Sequence, residues 1–170
     1  MLRDVVPRGS VDTALRCLHL DLLRRGLPVE RIAEWQDAKC WFPHLRWEPA
    51  IVQLLEHVPA ELQQGLPCEP QILLHLPDEA EEWPLVPHVD DPPPWAEGRP
   101  YSSIVGVALS AGTERHGGLV VWPFDGSPPR PLDVTPGDVV VMHPRLEHSG
   151  TLNRSGEIRY VVYFRFVAGD

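Results

Sequence analysis

The chain has 170 residues, and its 15 Lys and Arg against 24 Asp and Glu give a net charge of −9 at neutral pH. That length suits one domain, 43% hydrophobic residues supply a core, and the negative balance argues against nucleic acid or an anionic membrane face as a partner. Its 20 prolines, far above the ordinary ~5%, argue against a helical bundle and favour short strands with proline at edges and corners.

Cys17, Cys40 and Cys68 are odd in number and widely spaced. They predict free thiols in a reducing cytosol rather than a disulfide framework or a zinc knuckle. No apolar run approaches the ~18 residues of a membrane span, and the N-terminus lacks the apolar stretch of a signal peptide. The expected location is therefore the cytoplasm.

In chain order, Val11, Leu15, Leu18 and Leu22 fall at helical spacing, with Gly26 as a stop signal. A second helix is predicted over 29–35, after Pro28. A third is predicted over 49–58, with Ile51, Leu54, Leu55 and Val58 on one face and Pro59 ending it. From residue 70 the pattern changes to short runs rich in Val, Ile, Tyr and Phe, at 71–76, 102–109, 118–122, 138–142 and 159–167. Gly112, Gly117-Gly118, Asp125-Gly126, Pro136-Gly137 and the stretch 153–156 punctuate them. The fold class is mainly β (α+β), a sandwich or barrel with N-terminal helices packed outside. The expected organisation is a single domain over 1–170, with 1–65 mainly helical and 70–167 forming the β core.

Chemistry is carried by His88-Val89-Asp90 and His148. Side chains alternate along a strand, so His88 and Asp90 project to one side, where imidazole and carboxylate can share a metal ion. His148 then supplies a third ligand from across the barrel. Two His and one carboxylate on one face of an octahedral ion is the arrangement of non-haem Fe(II) oxygenases, with three positions left open. The segments 146–152 and 158–166 read as a hairpin joined by Asn153-Arg154-Ser155-Gly156. That pairing sets Arg159 beside His148 on one face, where its planar fork of donors suits the carboxylate of a dicarboxylate cosubstrate. Arg154 falls in the turn, and His75 in an apolar strand reads as a core histidine. Trp83, Trp95 and Trp122 flank the site in sequence, while Asp91 alternates away from it.

The runs "PHVDDPP", "GGLVVWP" and "GDVVVMHPRLEHSGTLNRSGEIRYVVYFRF" resemble the phytanoyl-CoA dioxygenase (PhyH-like) family of Fe(II)/2-oxoglutarate oxygenases, over roughly 70–167. The resemblance implies a double-stranded β-helix, or jelly roll. It also implies iron held by His88, Asp90 and His148, and 2-oxoglutarate bound by Arg159. The implied reaction consumes O2 and releases succinate and CO2 while oxidising a small-molecule substrate, most simply by hydroxylation. Gly118-Leu119, Pro123, Gly137-Asp138 and Asn153 match further family positions. Two positions after the distal histidine the family often has a serine that helps hold the cosubstrate; here that position is Gly150. The charge of −9 argues against CoA thioesters and for a small neutral or amine-bearing substrate.

Two other readings compete. A cupin-type metal-binding jelly roll that does not use 2-oxoglutarate shares part of the pattern around His148, but lacks a His-x-His first motif and has no use for Arg159. In a non-catalytic ligand-binding jelly roll, His88 and Asp90 would be only polar contacts.

Overall fold

The computed structural model describes residues 1–27, 42–68, 70–77, 86–90 and 99–169. The predicted helix at 29–35, together with Cys40, Trp83, Asp91 and Trp95, lies outside them. Helix α1 (Arg8–Arg24) buries Val11, Ala14, Leu18 and Leu22 along one stripe. It ends as its sequence signals: Gly26 takes a φ of +71°, and the Leu27 N–H reaches back to the Leu22 carbonyl at 2.9 Å. Helix α2 (Pro49–Val52) continues as a 3-10 turn (Gln53–His57), so the predicted element is present but tightens after one turn.

Among the described residues eight short strands follow: β1 (Leu66–Pro67), β2 (Gln71–His75), β3 (Tyr101–Ala108), β4 (Leu119–Trp122), β5 (Arg130–Leu132), β6 (Val139–Met142), β7 (Glu147–Gly150) and β8 (Arg159–Val167). They form two antiparallel sheets. In the larger, β8 lies between β3 and the successive β1 and β2, and β6 flanks β3; the smaller runs β5-β4-β7.

Strand β8 reads as a nearly unbroken apolar run because both its faces are covered. Tyr160, Val162, Phe164 and Phe166 pack with Val105, Val107 and Val139 beneath α1 and α2. Val161, Tyr163 and Val167 turn the other way, onto a second core shared with Leu119 and Val121 of the smaller sheet. Arg159 and Arg165 keep the same period of two, so both guanidinium stems start on the inner face.

The N-terminal residues are tied to this frame by Asp138. Its carboxylate accepts the Arg3 Nη1–H at 2.5 Å, the Asp4 N–H at 2.9 Å and the Thr135 N–H at 2.8 Å. Burial alone would raise its pKa, but the Thr135 and Asp4 N–H groups and the Arg3 guanidinium outweigh that and hold it low. Gly137, at φ +94°, is required beside it: a Cβ there would stand 2.5 Å from the Val6 carbonyl oxygen. No helix among the described residues is long and apolar enough to cross a membrane.

Candidate metal centre

His88 and His148 come together through the backbone. Each donates its N–H to the other's carbonyl at 2.9 Å, which attaches the segment 86–90 to the edge of β7 as one further antiparallel bridge. His148 faces inward opposite Val121. Each imidazole then turns Nδ1 towards the carbonyl two residues before it, His88 to Val86 at 3.2 Å and His148 to Leu146 at 3.0 Å. A carbonyl accepts only from N–H, so this contact favours the Nδ1–H tautomer, which in the neutral ring keeps the Nε2 lone pair for a metal.

Asp90 stands between those two nitrogens, its Oδ1 lying 3.8 Å from Nε2 of His88 and 3.8 Å from Nε2 of His148. The ligand-type atoms of the three residues all lie within 4.8 Å of one another. Neighbouring donors ~2.1 Å from one octahedral ion stand ~3.0 Å apart, so the three side chains would close in by about an ångström to hold one, and the donor set suits a divalent first-row metal. The centre is open on one side: the His88 side chain is 53% exposed, whereas those of His148 and Asp90 are 10% and 15% exposed.

Arg165, which the sequence offers with Arg154 only as an alternative carboxylate anchor to Arg159, instead meets Asp90. Its Nε–H and Nη2–H both bond Oδ2 of Asp90, at 2.9 and 2.7 Å, joining the two sheets across the interior. Its guanidinium lies 5.9 Å from the Tyr101 ring centroid and 5.6 Å from that of Tyr163. The signal was present, as an arginine on the inner period of an otherwise apolar strand.

Arg159 does not sit where the hairpin reading put it. β7 pairs with β4 in the smaller sheet, and β8 pairs with β2 and β3 in the larger, so His148 and Arg159 share no ladder. The connection is a crossover between sheets, built by Asn153. Its Nδ2 donates to the carbonyls of His75 (2.9 Å) and Glu157 (2.7 Å), and its Oδ1 accepts from the Ser155 N–H and hydroxyl. Arg159 is nonetheless buried between the sheets, with Nη1 donating to the Gly117 carbonyl at 2.8 Å.

His75, opposite Arg159 in the β2–β8 register, is buried beside it. Burial, reinforced by the Arg159 cation, lowers its pKa to about 3, so its ring is neutral at ordinary pH. Gly150 makes room for that ring: a Cβ there would stand 3.0 Å from His75 Cε1. Arg159, Ala108, Leu119, Val161 and Tyr163 line a residual gap of about 10 Å³ between the sheets, with the Tyr163 ring lying over Gly106. Trp122 faces away from the metal centre, lining an outer groove with Val89 and Phe124. Arg154 is exposed in its turn, as expected.

No family model matches the chain, and no curated protein matches it in sequence. Similar solved structures were found. SnoK, a non-heme alpha-ketoglutarate-dependent carbocyclase from nogalamycin biosynthesis, is 18% identical with a TM-score of 0.56; the match covers 72% of this chain and 60% of SnoK. The epimerase SnoN, described as alpha-ketoglutarate dependent and solved in complex with Fe3+ and alpha-ketoglutarate, is 16% identical with a TM-score of 0.58, covering 98% of this chain and 75% of SnoN. The non-heme monooxygenase ThoJ, in its nickel complex, is 17% identical with a TM-score of 0.65, covering 99% of this chain and 72% of ThoJ. At these identities the likeness establishes a shared fold. This chain spans less than two thirds of SnoK's length.

Proposed function

We propose that the chain is an Fe(II)- and 2-oxoglutarate-dependent oxygenase of the phytanoyl-CoA dioxygenase kind, a single jelly-roll domain that oxidises a small molecule, most simply by hydroxylation. The observation that carries this reading is the convergence of His88, Asp90 and His148, with Nε2 of both histidines 3.8 Å from the Asp90 carboxylate. The solved structures of similar fold support it, since SnoK, SnoN and ThoJ are described as non-heme enzymes and SnoN holds iron and alpha-ketoglutarate.

His88, Asp90 and His148 would hold the iron. Bound iron supplies the redox chemistry, in which 2-oxoglutarate, O2 and substrate R–H become succinate, CO2 and R–OH. Arg159 would pair with the distal carboxylate of 2-oxoglutarate, because a buried cation between two apolar sheets is costly unless an anion meets it. The same buried cation favours this reading over a cupin, which has no anion to place there. Val161 and Leu119 wall the cosubstrate's carbon chain and exclude water. A five-carbon diacid needs more than the roughly one water's worth of space left there, so the side chains lining the gap would have to draw apart to admit it.

The test is turnover without a known substrate: protein, Fe(II), O2 and 2-oxoglutarate are incubated and succinate is quantified. Succinate formation that disappears in His148→Ala supports the oxygenase; none above the protein-free control rejects it.

A further inference from the structure

Asp90 presents two oxygens with different environments. Oδ2 accepts both donors of Arg165, at 2.9 and 2.7 Å, while Oδ1 stands 3.8 Å from each of the two histidine nitrogens. Arg165 is not free to follow a rotating carboxylate. Its backbone is registered against Ile104 in the middle of β3, its side chain is 15% exposed, and the Tyr101 and Tyr163 rings stand close to its guanidinium. An exposed ion pair would contribute little, but a fork held by a strand and two rings fixes an orientation.

Orientation matters because a carboxylate binds an ion through one oxygen or two. Two histidines and one carboxylate oxygen leave three of six positions open. A carboxylate that chelates through both oxygens leaves two. A cosubstrate that occupies two positions, with O2 needing another, requires all three.

We infer that Arg165 is a positioning residue that restricts Asp90 to ligation through Oδ1 and so keeps the third position open. The inference rests on the oxygenase reading for its consequence, but its test does not depend on 2-oxoglutarate. Freed of Arg165, Asp90 swings to place both oxygens on the ion; metal binding persists while one open position is lost.

The experiment loads the full chain with Mn(II) and counts metal-bound water by water-proton relaxation, with no cosubstrate present. Wild type holds three exchangeable waters. Arg165→Met holds two and binds Mn(II) at least as tightly, and Arg165→Leu, which carries no donor for Asp90, gives the same count should Arg165→Met not fold. Arg165→Lys, which grips Oδ2 through a single ammonium, recovers part of the difference. In the anaerobic Fe(II) protein, Arg165→Met weakens 2-oxoglutarate binding about tenfold with Arg159 untouched. A merely structural role would lower the melting temperature and leave the water count at three. Three waters in both neutral variants overturn the inference, as does a wild type that binds no Mn(II). A wild type with three waters that binds no 2-oxoglutarate rejects the oxygenase reading alone, and the water counts still decide the role of Arg165.

Discussion

His88 and His148 are locked to each other by main chain rather than by side chain: their N–H and carbonyl groups exchange two hydrogen bonds of 2.9 Å, and their rings lie 4.6 Å apart. Because the bridge uses only backbone atoms, either ring can be removed without dissolving it. His88→Ala and His148→Ala should therefore fold normally yet lose Co(II) affinity by at least ~100-fold, since even groups that merely support ligands cost 10–100-fold. Calorimetric titration with Co(II) reads this directly. Equal affinity in wild type and both variants would remove the metal assignment.

Arg159→Ala should leave metal binding intact and weaken 2-oxoglutarate binding by on the order of a hundredfold, the scale of losing one partner of a desolvated charge pair. Arg159→Lys keeps the charge but not the fork, and should recover only part of that loss. Equilibrium binding of labelled 2-oxoglutarate to the anaerobic Fe(II) protein measures both. Unchanged affinity in Arg159→Ala would hand the carboxylate to another group.

His75 makes stability depend on pH in a defined direction. Its pKa falls from 6.5 to about 3 on folding, so between those values the unfolded chain binds more protons. Its contribution is complete above pH 6.5 and is lost as pH falls towards 3, at up to about 1.4 kcal/mol per pH unit. Urea unfolding between pH 7 and pH 4 should show this slope in wild type and a shallower one in His75→Gln. Parallel slopes would mean that His75 charges as easily folded as unfolded.

Gly106 and Tyr163 should behave as one unit. A Cβ on Gly106 would stand 2.7 Å from the Tyr163 ring, so Gly106→Ala should cost about 1–3 kcal/mol by overpacking. On a Tyr163→Val background the same change should cost close to nothing. The double-mutant cycle read by denaturant unfolding checks the coupling; additive effects would show that the ring does not rest there.

Much of the frame was legible because the inner strands are apolar on both faces and are bounded by proline and glycine. The run at 159–167 became β8 residue for residue, and 138–142 became β6 after its buried capping Asp138. Which strand pairs with which was not legible. The four residues after Leu152 fit a tight hairpin in the sequence, but Asn153 spends its amide on the carbonyl of His75, a residue 78 positions away, and so carries the chain to the other sheet. Strand β5 was missed because Arg130, Pro131 and Leu132 carry no apolar alternation; it pairs with β4 at the sheet's edge, where proline is tolerated.

The spacing His88-x-Asp90 with His148 anticipated which residues converge, but not how. Asp90 lies beyond the single bridge at His88 and is turned inward by Arg165, 75 residues away, rather than by strand alternation. The glycine at 150, where the family resemblance leads one to expect serine, acquires a reason only in three dimensions, as the space into which the His75 ring fits.

The most direct measurement is an anaerobic titration of the Fe(II)-loaded protein with 2-oxoglutarate, followed by the visible charge-transfer absorption that a chelated 2-oxo acid gives on ferrous iron. The expected band saturates at one equivalent in wild type, needs excess 2-oxoglutarate in Arg159→Ala, and is absent in His88→Ala and His148→Ala. No band in wild type, or a band undiminished when both histidines are replaced, would contradict the oxygenase reading.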